Sequence, residues 1–157
     1  MEICFWVIGK TNAKYLQQGE DEYLKRIPHY TKFSYVQWPD VKRGKKTSEV
    51  EIKKLEGQFL LSKFEASDFV VLLDENGKQF SSEKWAVQIQ KWMNTSPKRL
   101  IFIVGGAFGF SDDVYQRAQS KISLSSMTYS HQMVRMIFLE QLYRGFSILN
   151  NEKYHHS

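Results

Sequence analysis

The sequence predicts an α/β fold in which a mostly parallel sheet is flanked by helices. Short apolar segments alternate with longer segments of helical periodicity from one end of the chain to the other. Two of the apolar segments, residues 69–73 and 100–104, contain no polar residue, as expected of parallel strands that are buried on both faces. With 157 residues, of which 42% are hydrophobic, the chain is long enough for one domain spanning residues 1–157 with its own core.

The five predicted strands are short apolar or alternating segments, followed for the most part by glycine, proline or turn residues. In chain order they are residues 3–8, 33–37, 69–73, 100–104 and 122–124. The second strand alternates apolar and polar residues, whereas the first, third and fourth are apolar. Residues 74–77, Asp-Glu-Asn-Gly, are expected to form a turn that ends the third strand.

Helices are predicted between the strands from apolar residues at helical spacing and from capping signals. Asn12 opens the first helix, and Pro28 stops it because proline lacks the backbone N–H that a continuing helix needs. Ser48 and Glu51 form a capping box for the second helix. The later helices are expected to begin at Ser81 or Ser82, at Ser111 and at His131, and the last of them reaches about Asn150.

Charge and cysteine content narrow the classes of protein. The net charge of +5 and the pI of about 9.2 are compatible with a nucleic-acid partner. One glycine-containing segment has four cations that suit contact with RNA phosphates, namely Lys42, Arg43, Lys45 and Lys46. The alternative is that these cations only form a solvated surface. Cys4 is the single cysteine, and no Cys/His cluster has the spacing of a zinc site, so we expect no disulfide within the chain and no metal. The sequence also has no apolar run of transmembrane length and no signal-peptide pattern, which together with the single cysteine indicates a cytoplasmic protein without a membrane anchor.

Ligands of parallel sheets bind at the carboxyl ends of the strands, where residues 73–77, 105–110 and 124–130 are expected to meet. The glycine-rich segment 105–109 lacks the Lys-Ser/Thr pair of a Walker loop, and it follows the fourth strand rather than the first. Kinase, GTPase and NAD-dependent classes are therefore disfavoured. The glycines of segment 105–109 allow positive φ angles or the close approach of a ligand, and a tight turn without a ligand is the alternative.

Several ordered motifs resemble the ribosomal RNA large-subunit methyltransferase H family, which are small SPOUT methyltransferases. The matching segments span the chain and include Gly9-Lys10, residues 54–57, Gly77-Lys78, Gly105-Gly106 with Gly109, residues 124–135, residues 140–144 and Tyr154-His155. The resemblance implies a SPOUT-type α/β knot with a mostly parallel five- or six-stranded sheet, a C-terminal trefoil knot and a homodimer. It also implies S-adenosyl-L-methionine as cofactor, and N3 of a pseudouridine as the methyl acceptor. That pseudouridine belongs to the stem-loop of large-subunit ribosomal RNA that faces the small subunit, and the expected partner is this RNA within an assembled ribosome.

Site residues follow from the same resemblance. Those that match cofactor contacts are Leu73, Gly105, Leu124, Ser125, Ser126, Met127, Thr128 and Tyr129. The candidates for placing or polarising the target base are Arg144, His131, Tyr154 and His155, and no general base is assigned because water can serve. The tail, residues 150–157, is expected to fold over the pocket. Ala107, Ser130 and the ending His155-His156 depart from the usual pattern of the family.

Two other functions stay open at this stage. One is a non-catalytic ribosome-binding or RNA-binding module of the same fold, which the matching cofactor loops disfavour. The other is a knotted methyltransferase that acts on transfer RNA, which the lack of an appended RNA-binding domain disfavours.

Overall fold

The structure is a computed structural model that describes residues 1–156; Ser157, the last residue of the predicted tail, lies outside them. The strands are β1 (Glu2–Ile8), β2 (Phe33–Trp38), β3 (Phe69–Gln79), β4 (Arg99–Val104) and β5 (Ser120–Ser123). The helices are α1 (Lys14–Arg26), α2 (Glu49–Lys63), α3 (Ser82–Asn94), α4 (Asp112–Arg117) and α5 (Met133–Leu149), and a short 3-10 helix (Ile27–His29) follows α1. All five strands form one parallel sheet in the order β2-β1-β4-β3-β5, so the predicted α/β class is confirmed.

Helices cover both faces of the sheet, which explains why its central strands are apolar throughout. Successive residues of a strand point to opposite faces. In β1, Phe5 packs against Phe138 of α5, in the core that also includes α1 and α3. The next residue, Trp6, stacks on Phe64 at the end of α2, in the core beneath α2 and α4. Cys4 is buried on this second face, where burial raises the pKa of its thiol, as expected for an inert cysteine.

The predicted end of the third strand is wrong, because β3 continues through the turn-forming residues to Gln79. Leu73 and Lys78 both pair with Ile122 of β5, so residues 74–77 form a bulge inside the strand. The Asp74 carboxylate accepts a hydrogen bond from the backbone N–H of Asn76 at 2.8 Å, which is the local turn that the sequence indicates. Pairing with β5 resumes after this turn and extends the strand.

Helix boundaries differ from the prediction by about two residues at the start of α1 and α5. Asn12 lies outside α1, and its backbone N–H donates to the side chain of Gln132 at 2.9 Å. His131 precedes α5, which begins at Met133. Within residues 1–156, no helix is long and apolar enough to cross a bilayer, and no group of three or more acidic, His or Cys side chains is arranged to hold a metal ion. The trefoil knot stays a prediction.

Candidate functional site

A cavity of about 650 Å³ lies at the bulge of β3 and at the carboxyl ends of β4 and β5. The three strand-end segments named from the sequence meet there, because parallel strands deliver their following loops to the same edge. Seven of the eight predicted cofactor residues line the cavity: Leu73, Gly105, Leu124, Ser125, Met127, Thr128 and Tyr129. Ser126 is not among the lining residues. The structure brings this set together, and its role in binding stays a prediction.

The walls of the cavity combine apolar side chains with acidic groups. Leu73 of β3 and Leu124, which directly follows β5, both line the cavity, and Asp74 and Glu75 line it at the bulge of β3. The hydroxyl of Tyr115 on α4 donates a hydrogen bond to the Asp74 carboxylate. Burial and this carboxylate raise the pKa of Tyr115, so the phenol keeps its proton and holds Asp74 in place. A fixed carboxylate at the cavity suits a ligand that carries positive charge.

The glycine-rich segment is shaped by protein contacts as well as by backbone geometry. Only Gly109 among its glycines has a positive φ, of 82°. A Cβ at Gly105 would lie 3.2 Å from the ring of Phe110. A Cβ at Gly106 would lie 2.5 Å from the carboxylate of Glu56, a distance that real Cβ atoms do not show. Among the glycines of this segment, Gly106 therefore has the closest packing, against the end of the Glu56 side chain.

Glu56 is a functional candidate that sequence reasoning missed as a site residue. It lies on α2, is 6% exposed, and its Oε1 has no hydrogen-bond partner within residues 1–156. Burial raises the pKa of this carboxyl to about 7, and the nearby positive charge of Arg43 opposes the shift. The signal was present in the sequence, because Glu56 is four residues from both Ile52 and Leu60 and so shares their buried face.

His131 lies at the edge of the cavity, as predicted, and also lines a second cavity beside it. Partial desolvation and the positive charge of Arg135 lower the pKa of His131, so its ring is neutral at pH 7. Arg135 is fully buried and donates to the backbone carbonyl oxygen of His131 at 3.1 Å. This contact ties the histidine backbone to the first turn of α5.

The remaining candidates for base placement form a separate cluster on α5. The guanidinium of Arg144 donates to Glu140 Oε1 at 2.5 and 3.0 Å and lies over the ring of Tyr154, 4.7 Å from its centroid. It also donates to Nδ1 of His155 at 3.0 Å, and Nε2–H of the same ring donates to Glu83 on α3 at 3.1 Å. These bonds together require the Nε2–H tautomer of His155.

This cluster does not line the cavity of its own chain. Tyr154 packs edge-on against Tyr143, and its hydroxyl donates to Glu140 at 3.1 Å, so the tail lies against α1, α3 and α5. The expectation that the tail folds over the pocket is therefore wrong for the pocket of the same chain. The sequence placed Tyr154 and His155 near the target base, but the helical register of α5 directs Arg144 away from the strand ends.

All four predicted RNA-binding cations are exposed in the irregular segment between β2 and α2: Lys42, Arg43, Lys45 and Lys46. Only Arg43 of these lines a cavity, the second one, next to His131. The segment thus lies beside the site, and its contact with RNA stays a prediction.

Residues 1–155 match a family described as predicted SPOUT methyltransferase, so the chain with this parallel sheet and cavity is a SPOUT methyltransferase. Two solved structures share the fold. The tRNA (m1G37) methyltransferase from Aquifex aeolicus has a TM-score of 0.52 at 15% identity, covering 92% of this chain and 70% of that one. A probable methylase family protein from Haemophilus influenzae has a TM-score of 0.51 at 11% identity, covering 97% and 67%.

Curated relatives are similar over nearly the whole chain. The proteins named ribosomal RNA large subunit methyltransferase H from Christiangramia forsetii, Flavobacterium johnsoniae and Parabacteroides distasonis are 57%, 53% and 50% identical over 156 residues. Each alignment covers 99% of this chain and 99% of the relative. The chain therefore belongs to the ribosomal RNA large subunit methyltransferase H family, and it is an enzyme that uses a methyl donor.

Proposed function

We propose that this enzyme transfers a methyl group from S-adenosyl-L-methionine to N3 of a pseudouridine in large-subunit ribosomal RNA, in the stem-loop that faces the small subunit. The observation that carries the proposal is the cavity at the bulge of β3 and the ends of β4 and β5, built from the segments that resemble cofactor loops of the family. Full-length identity of 57% to a relative named for ribosomal RNA methylation supports the choice of RNA. Such a substrate places the reaction in the cytoplasm.

The residues present fit this methyl donor. The glycines at 105 and 106 leave backbone without side chains along one wall, and Leu73 and Leu124 supply apolar surface for an adenine ring. Asp74, held by Tyr115, offers a negative charge to a cationic ligand. S-adenosyl-L-methionine, when bound, supplies a methyl group on a positively charged sulfur that is already an excellent leaving group. The protein has to bind, orient and exclude water.

Removal of the N3 proton is the step that needs protein chemistry, because a protonated imide nitrogen is a poor nucleophile. His131 is neutral at pH 7 and lines the cavity, so its ring can accept a hydrogen bond or the proton from the base. A guanidinium near the uracil oxygens stabilises the resulting anion. Arg144 is the candidate for that role.

The cluster of Arg144, Tyr154 and His155 reaches a cavity only if a second subunit supplies it. We therefore include a homodimer in the proposal, in which the cluster of one subunit completes the cavity of the other. The exposed Met127 and Tyr129 at the cavity mouth are 75% and 38% accessible, which leaves apolar surface there for a partner to cover. A substrate embedded in the assembled ribosome fits an enzyme of this size, because the ribosome supplies surface that the chain lacks.

Nucleoside mass spectrometry of ribosomal and transfer RNA tests the substrate, using cells with and without the gene. We expect N3-methylpseudouridine to disappear from large-subunit RNA in the deletion and to return with the wild-type gene. Loss of a methylated nucleoside from transfer RNA instead would establish the alternative knotted enzyme. Calorimetry with S-adenosyl-L-methionine separates both from a binding module, for which no heat of binding is expected.

A further inference from the structure

A second cavity of about 590 Å³ adjoins the methyl-donor cavity. It lies at the carboxyl ends of β1 and β2 and beside the start of α5, and His131 lines both cavities. Methyl transfer requires the acceptor atom to come within about 3–3.5 Å of the donated group. An acceptor site must therefore lie beside the donor site, and the two cavities have His131 as a common lining residue.

The wall of the second cavity is rigid although residues 9–12 have no regular secondary structure. The buried guanidinium of Arg135 donates to the carbonyl oxygens of Ile8 at 2.8 Å and Gly9 at 2.9 Å. Gln132 donates to the carbonyl oxygen of Lys10 at 3.1 Å and accepts from the backbone N–H of Asn12 at 2.9 Å. These bonds connect the carboxyl end of β1 to the start of α5 before any ligand is present, so the wall is preorganised.

Two cations stand at the rim of this braced wall. Lys10 and Arg43 are exposed, and neither forms an ion pair within residues 1–156. Asp40 is the acidic residue of the lining. Trp38 also lines the cavity, and its indole packs against Trp6 and Phe59. Two exposed cations without an ion-pair partner in the described part of the chain match a ligand that carries a phosphate.

We propose that the second cavity holds the target nucleotide of the RNA, with its phosphate on Lys10 and Arg43 and its base directed to His131. This inference rests on the proposed function. It assigns Lys10 to RNA binding, and it gives Arg43 a role that the other three cations of the segment do not share. The volume is within the range of cavities that enclose small molecules, which suits one nucleotide turned out of a stem-loop.

Steady-state methylation of assembled ribosomes tests the site, with S-adenosyl-L-methionine affinity measured in parallel by calorimetry. The test variant is the double substitution Lys10→Gln/Arg43→Gln. The matched control is Lys84→Gln/Lys91→Gln, which removes two exposed cations of α3 that lie outside segment 42–46 and line neither cavity. We expect the test variant to raise KM for ribosomes at least tenfold, with methyl-donor affinity within twofold of wild type and an unchanged thermal midpoint. The control should raise KM less than threefold.

Salt dependence supplies a second readout. Each lost phosphate contact should reduce the slope of log affinity against log salt concentration by about 1. An active test variant with unchanged KM, or an equal effect of the control pair, would overturn the nucleotide site while leaving the proposed function intact. Wild-type enzyme that methylates no ribosomal RNA would overturn the proposed function itself.

Discussion

The Glu56 carboxylate lies directly against the Cα atom of Gly106, so close that a methyl group on Gly106 would be 2.5 Å from Glu56 Oε2. Helix α2 thereby contacts the loop that lines the methyl-donor cavity. A buried acid with an unpaired oxygen is costly, and its position at this loop links the stability of α2 to the shape of the cavity.

Gly106→Ala should weaken S-adenosyl-L-methionine binding at least tenfold, because the new methyl group must displace the loop or Glu56. Calorimetry measures the affinity. Gly44→Ala is the control, since the nearest atom to its Cβ is Thr47 Oγ1 at 3.9 Å. Adding Glu56→Ala to Gly106→Ala should restore much of the affinity by removing the clash. A double variant as weak as the single one would show that the contact with Glu56 does not explain the loss.

The protein should lose stability as pH rises from about 5 to about 8 because of Glu56. Its carboxyl has a pKa of about 7 in the folded state and 4.5 ordinarily. Between these values the folded chain keeps the proton that the unfolded chain releases, so the free energy of unfolding falls, by on the order of 3 kcal/mol in total. Glu56→Gln should match wild type near pH 5 and exceed it at pH 8 in thermal midpoint. Exposed Asp21→Asn should show no such divergence, and parallel curves for Glu56→Gln would contradict the assignment.

Gly77→Ala should destabilise the fold by about 2 kcal/mol or more, since overpacking that cannot relax has costs of this size. A Cβ at Gly77 would lie 2.4 Å from the backbone carbon of Ile122, and backbone of the paired strand β5 cannot move aside like a flexible side chain. We expect the thermal midpoint to fall by about 4–8 °C. Gly44→Ala again serves as the control, and equal midpoints for the two variants would refute the packing argument.

Arg135→Leu should cost about 3 kcal/mol or more, because it leaves the carbonyl oxygens of Ile8 and Gly9 buried without a donor. Denaturant unfolding measures the loss. Arg26→Leu is the control: Arg26 is half-exposed and its ion pair with Glu22 is of the weak i,i+4 kind. If the two arginine variants were equally stable, the bonds of Arg135 would not brace the end of β1.

Mixed dimers test whether subunits share a site. Gly106→Ala and Arg144→Ala proteins should each be nearly inactive, the first through the donor cavity and the second through the tail cluster. After random subunit exchange, half of the dimers are mixed and each has one intact shared site, so about a quarter of wild-type activity should return. No recovery, under conditions where exchange is shown by mass spectrometry, would mean that each chain uses its own Arg144.

The sequence predicted most helices and strands correctly because the local signals, apolar runs and capping residues, agree with the positions of these elements in the parallel sheet and its flanking helices. The apolar run at residues 100–104 became the central β4, and Ser48 caps α2 by accepting from the backbone N–H of Glu51 at 3.2 Å. The turn residues 74–77 misled the prediction, because strand pairing across a bulge depends on β5, which lies more than forty residues further along the chain. Such pairing leaves no local signal.

By itself, the sequence determined the α/β class, the loops of the site and membership in a methyltransferase family. Only the tertiary structure decided that Glu56 touches Gly106, that Arg135 braces the wall of a second cavity, and that the tail lies away from its own pocket. Periodicity indicates which face of a helix or strand is apolar, because residue spacing within the element determines which side chains share a face. Contacts between residues far apart in the chain depend on how the elements pack in three dimensions, and no spacing in the sequence encodes them.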